Sequence, residues 1–114
     1  MQRILLKSKI HRAVISRADI EYEGSIEIPE DLMQAADLWE REKVLVASIT
    51  SGARLETYVQ RGPAGTGEII MNGGAAHLIK AGERVTIMAF AVCDSPCPAR
   101  VIICDEHNRV ARTL

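Results

Sequence analysis

The chain has 114 residues, 47% of them hydrophobic and 25% charged, with a formal net charge of -1. That length suits one domain with a modest core, and the near-neutral balance argues against nucleic acid or an anionic membrane surface as the main partner. No apolar run approaches a membrane span, and Ile4-Leu5-Leu6 before Lys7 is too short for a signal-peptide core, so the expected address is the cytoplasm.

Residues 1–15 read as one long strand in which Lys7, Lys9 and His11 share a parity and project the same way. Ser16-Arg17-Ala18-Asp19 reads as a turn, and Ile20 to Tyr22 as an extended run up to Gly24-Ser25. Ile26-Glu27-Ile28 follows as a strand and stops at Pro29. Pro29-Glu30-Asp31-Leu32 is a helix start, with proline in the first turn and acids against the positive end of the dipole. Leu32, Met33, Ala36, Leu38 and Trp39 suit a short amphipathic helix ending near Glu40.

Lys43 to Thr50 is a β-branched strand, apolar on both faces at its start, and Ser51-Gly52 turns the chain. Arg54 to Gln60 alternates, with Arg54, Glu56, Tyr58 and Gln60 on one face and Leu55, Thr57 and Val59 on the other. Arg61 to Gly67 is a loop. Glu68 to Met71 is a short strand, and Asn72 to Lys80 a small-residue turn running into a short helix. Backbone N–H groups in such a turn are open to an anion or oxyanion. Gly82-Glu83 leads into Arg84–Cys93, the most apolar strand of the chain, and Val101 to Cys104 is a last strand before a polar end.

Short strands at this spacing, with one or two small helices, indicate an all-β fold in the form of a compact barrel. Cys93, Cys97 and Cys104 are odd in number, which with a reducing compartment argues against a disulfide framework. Together with His107 they could in principle supply four zinc ligands, but the spacing is at the loose end for a zinc knuckle with one well-formed chelating pair, and no metal is expected. No glycine-rich nucleotide loop and no Gly-x-Ser-x-Gly elbow occurs. The Gly24-Ser25 bond has two readings: an ordinary turn, which is the default for the dipeptide alone, or a peptide bond that the Ser25 hydroxyl attacks.

Lys9-Ile10-His11-Arg12, Ala18-Asp19 and Tyr22-Glu23-Gly24-Ser25 decide between them when taken with the pieces that follow in order. Those are Gly52-Ala53-Arg54, Thr57-Tyr58, Asn72-Gly73 and Gly82-Glu83. Over residues 1–92 the set resembles the pyruvoyl-dependent aspartate 1-decarboxylases. The resemblance implies a double-psi β-barrel, here a single domain over 1–114, assembled as a homotetramer with active sites between subunits. It implies L-aspartate as substrate and β-alanine and CO2 as products, feeding pantothenate and coenzyme A synthesis. It also implies an inactive precursor that cuts itself at Gly24–Ser25 into a β chain (1–24) and an α chain (25–114), in some relatives with an accessory maturation protein. Residues 93–114 lie outside the resemblance, and the role of this tail is open.

In that reading Ser25 Oγ attacks the Gly24 carbonyl, with Thr57 the implied donor to its oxygen and Tyr22 nearby, and a pyruvoyl group is left at position 25. Its ketone takes the substrate amine as a Schiff base and draws off the electrons freed by CO2 loss. A cation on the leaving carboxylate would oppose its departure, so Arg54 is read as a clamp on the retained side-chain carboxylate, with Lys9 the second cation. Tyr58 is the implied proton donor. Asn72 and the backbone of Gly73, Gly74 and Ala75 would orient the substrate, with His11 and Tyr22 lining the same pocket. Two other readings stay open: a non-processing β-barrel interaction module, and a pyruvoyl decarboxylase of another acidic amino acid such as glutamate.

Overall fold

A computed structural model describes residues 1–114. Its elements are β1 (Arg3–Val14), β2 (Arg17–Asp19), β3 (Ser25–Pro29), α1 (Glu30–Ala36), β4 (Lys43–Ser48), β5 (Arg54–Gly62), β6 (Ile70–Asn72), α2 (Ala75–Leu78), β7 (Arg84–Cys93), β8 (Arg100–Cys104) and β9 (Val110–Thr113). The fold is thus mainly β with two short helices, as the strand spacing indicates. The strands pair in the order β2-β6-β3-β5-β4-β7-β1-β8-β9. Three pairs are parallel, β1 with β8, β2 with β6 and β3 with β5. A parallel pair cannot be closed by a hairpin, so the chain must cross over between its members. No helix is long and apolar enough to cross a membrane.

The core is aliphatic, as a chain with 4% aromatic residues requires. Ile10, Ile26, Ile28, Val46, Val59, Ile87 and Ile102 are all fully buried in one cluster. Strand β1 reaches it with two irregularities, between Leu6 and Ser8 and between Ile10 and Ala13, where one extra residue stands against β7. Arg12, in the second, has φ 64°. Each bulge shifts the side-chain alternation by one, which is how Ser8, Ile10 and Ala13 all turn inward. The expectation that Lys7, Lys9 and His11 form one wall therefore needs correction. Lys7 is the extra residue of the first bulge, and its ammonium turns to Glu42 at 3.2 Å and to Asp37. Lys9 and His11 keep a common parity.

Four local expectations also change. Residues 17–19 are a strand rather than a turn, because their backbone finds a parallel partner in β6. Residues 20–22 turn instead of running extended. Helix α1 stops at Ala36, four residues early: Asp37 adopts a left-handed conformation (φ 57°, ψ 51°) and the Leu38 N–H donates to Met33 O at 2.8 Å. That is a Schellman-type end. It returns Leu38 to the core and leaves Trp39 79% exposed. Lastly, the polar end forms β9 on the edge of β8.

The tail is anchored by Asn108, which is 2% exposed. Its Oδ1 accepts from the Val14 N–H at 2.8 Å, and its Nδ2 donates to Val14 O and Gly67 O, both at 2.8 Å. Cys104 is buried, and that burial, with Asp105 and Asp31 nearby, pushes its thiol up to about 11. Cys93, the last residue of β7, and Cys97, on the β7–β8 connection, are free thiols.

Candidate active site

Strand β3 lies between β5, parallel to it, and β6, antiparallel. Its first residue is Ser25, paired with Asn72 and fully buried. A buried hydroxyl needs partners, and two side chains supply them. Ser25 Oγ donates to Gln60 Oε1 at 2.8 Å, while Asn72 Nδ2 donates to Ser25 Oγ at 3.3 Å. The Glu23 carbonyl stands farther off, at 3.5 Å.

The turn before Ser25 rests directly on Gly73. A Cβ there would come within 2.6 Å of both Gly24 Cα and Gly24 N and 2.9 Å of the Tyr22 carbonyl oxygen, and φ is +70°. Only glycine fits, for steric and conformational reasons together. The Gly73 N–H donates to Asp19 O at 2.8 Å, tying the same turn to β2. The Ala76 and His77 N–H groups close the first turn of α2 on Gly73 O and Gly74 O, while Gly74 and Ala75 donate to no backbone carbonyl there. Beside this seat a cavity of about 440 Å³ is lined by Arg17, Asp19, Tyr22, Glu27, Gln60 and Asn72.

The other sequence-derived residues fall into two groups. The parallel register pairs Ile26 with Val59 and Glu27 with Gln60, so Tyr58 is the residue of β5 that comes alongside Ser25. Tyr58 is 39% exposed, on the outward face with Arg54, Glu56 and Gln60. Thr57 alternates to the opposite face and is not among the partners of Ser25 Oγ. Arg54 pairs with Ala47 at the far end of β5, four residues from Tyr58 and so about 13 Å along the strand. Lys9 lies on β1, four strands from β3 in the sheet order. Neither Lys9 nor Arg54 has a carboxylate partner within the chain. Near Lys9, His11 Nδ1 meets Thr86 Oγ1 at 3.3 Å. Partial burial, then Lys9 and Arg12, hold the His11 pKa below its ordinary value. One chain thus gathers Ser25, Gly24, Tyr22, Asn72 and Gly73 about one turn, with Tyr58 in register on β5, and sets Arg54 farther along that strand.

Gln60 is the residue that sequence reading placed on the right face without giving it a role. Its parity with Tyr58 was visible; that β5 runs parallel beside β3 was not, and only that pairing turns its amide toward Ser25.

Comparison with known proteins places these features in one lineage. A family model described as aspartate decarboxylase matches residues 1–111. A protein of Corynebacterium efficiens named aspartate 1-decarboxylase is 58% identical, over 96% of this chain and 84% of its own length. One of the same name from Myxococcus xanthus is 51% identical over 96% and 88%, and one from Moorella thermoacetica 46% over 96% and 89%. With a match over nearly its whole length and relatives this similar, the chain belongs to the aspartate decarboxylase family.

Proposed function

We propose that the chain is a self-processing carboxy-lyase that cuts the Gly24–Ser25 bond, carries a pyruvoyl group at position 25 and removes the α-carboxylate of L-aspartate to give β-alanine and CO2. The decarboxylation follows from family membership. Ser25 carries the rest: a serine with no exposed surface, its Oγ held by two side chains, directly after a glycine whose backbone is pressed onto Gly73. In the cut, a bond forms between Ser25 Oγ and the Gly24 carbonyl carbon. The Gly24 C–N bond breaks, and the hydroxyl proton passes to the freed nitrogen. Loss of the Ser25 α-proton then expels Gly24 as a carboxylic acid, and water replaces the nitrogen, which leaves as ammonia. Thr57 serves maturation as a donor to the Gly24 carbonyl, with Tyr22 beside the turn.

When formed, the pyruvoyl carbonyl supplies an electron sink for an amine substrate. The chain's own residues do the remainder. Asn72 and the backbone of Gly73, Gly74 and Ala75 orient the substrate at the head of β3. Tyr58, alongside Ser25 in the register, returns a proton to the substrate carbon after CO2 departs. Arg54 and Lys9, cations without a carboxylate in their own chain, hold the carboxylate that stays. The place of Arg54, at the far end of β5 from Ser25, is why we read the working unit as a homotetramer with sites between subunits. The double-psi barrel is supported by the parallel pairs β3/β5, β1/β8 and β2/β6, with the whole of 1–114 as one domain. Cytoplasmic residence, a place in pantothenate synthesis and assistance by a maturation protein complete the reading.

Intact-mass analysis tests it. The purified protein should give two pieces, Met1–Gly24 and 25–114, with an almost unchanged summed mass, whereas Ser25→Ala should remain whole and inactive. A single intact chain that persists on prolonged incubation would favour a non-processing module. 4-Aminobutyrate from glutamate in place of β-alanine from aspartate would move the substrate assignment.

A further inference from the structure

We infer that Gln60 is a positioning residue for self-cleavage, fixing the direction of the Ser25 hydroxyl proton so that an oxygen lone pair is free to attack the Gly24 carbonyl. The inference rests on reading Gly24–Ser25 as the bond that is cut. A hydroxyl has one proton and two lone pairs to place. Two acceptors compete for the Ser25 proton: Gln60 Oε1 at 2.8 Å and Glu23 O at 3.5 Å. The first is at the optimum for an O–H···O bond and the second at its limit, so Gln60 decides the direction. Asn72 Nδ2 occupies one lone pair at 3.3 Å, and the other remains for the carbonyl.

The position of Gln60 suits the task. It reaches Ser25 from β5 across the parallel β3 ladder, while the residue itself is exposed and lines the cavity of about 440 Å³ beside Asn72 and Tyr22. A proton held toward Gln60 is therefore held toward the side open to solvent. As Oγ closes on the carbonyl carbon and the Gly24 C–N bond breaks, that proton leaves oxygen and ends on the freed Ser25 nitrogen. An amide oxygen is too weak a base to keep it, so Gln60 directs the proton without taking it. Without Gln60 the nearest acceptor is Glu23 O, which lies on the chain immediately before the scissile bond. The hydroxyl would then turn toward the peptide backbone it has to attack.

The test uses the full chain, sampled over time after synthesis, with cleavage followed by intact mass. Gln60→Leu should slow cleavage about tenfold, the effect of one neutral hydrogen bond to a reacting atom, with a melting temperature near that of the parent. Gln60→Glu keeps the shape and substitutes an acceptor that can hold a proton. Its cleavage rate should gain a rise between about pH 4 and 6 as the carboxyl ionises, which the parent lacks. A purely structural role would not produce that titration. A Gln60→Leu chain that cleaves at the parental rate, or a Gln60→Glu chain with the parental pH profile, overturns the inference alone. If Gln60→Leu fails to fold, the Glu variant decides by its profile. A parent chain that never cleaves after Gly24 overturns the underlying reading and the inference with it.

Discussion

His11 stands between Lys9 and Arg12, with Nδ1 on Thr86 Oγ1. Partial desolvation is the larger cause of its lowered pKa, and the two cations add to it. The folded chain therefore binds this proton less readily than the unfolded chain, whose imidazole keeps the ordinary value of 6.5. Where the unfolded state holds more protons, stability rises with pH. The stability contributed by neutral His11 is thus complete above 6.5 and is lost as pH falls through 6.5 toward the folded value. NMR titration should put the His11 midpoint lower in the native protein than in urea. Lys9→Met should move it only part of the way back, because burial remains. Full recovery would make charge the main cause.

Among the elements, the tail depends most on a single side chain. Asn108 alone joins the β8–β9 turn to both β1 and the loop at Gly67. Asn108→Ala removes three hydrogen bonds, two from the Val14 backbone and one from Gly67 O, which keeps only the Ser16 hydroxyl at 3.5 Å, and should cost about 2–4 kcal/mol in urea unfolding. A loss below half a kcal/mol would mean that water replaces the amide freely. The elements differ in how plainly the sequence declares them. Strands β4, β5 and β7 could be read from β-branched residues and alternation because each buries a face of its own. The three residues of β2 carry no such pattern and are strand only because β6 lies beside them. All four residues of β9 are exposed, so burial imposed no alternation to detect. The helix end at Asp37 was hidden by Leu38, which returns to the core by a different route from the helical periodicity that its spacing suggested. Gly24, Ser25, Tyr58 and Asn72 were legible through their motifs, whereas the contact between Gln60 and Ser25 is a product of strand order.

At the scale of the whole molecule, two facts point outward. Arg54 lies at the far end of β5 from Ser25, and the end of the β1–β7 pair exposes Ile4, Phe90 and Val92, at 74%, 44% and 64%, on adjacent strands. A contiguous apolar strip of this kind marks a contact surface. If sites are shared between copies, chains carrying Arg54→Ala and chains carrying Ser25→Ala, each inactive alone, should regain part of the activity when co-expressed. Continued inactivity of the mixture would mean that each site is built from a single chain. The position of the proposed cut has one more consequence. Strand β1, within residues 1–24, is hydrogen-bonded on both sides, to β7 and to β8, while β2 lies at the edge of the sheet. If the chain is cut after Gly24, the short piece carries an interior strand that the sheet still holds once the covalent link is gone. Folding of the uncut chain is a first-order event within one molecule. A cut and denatured molecule would have to recover β1 from free solution, so its refolding would become second-order and slow with dilution.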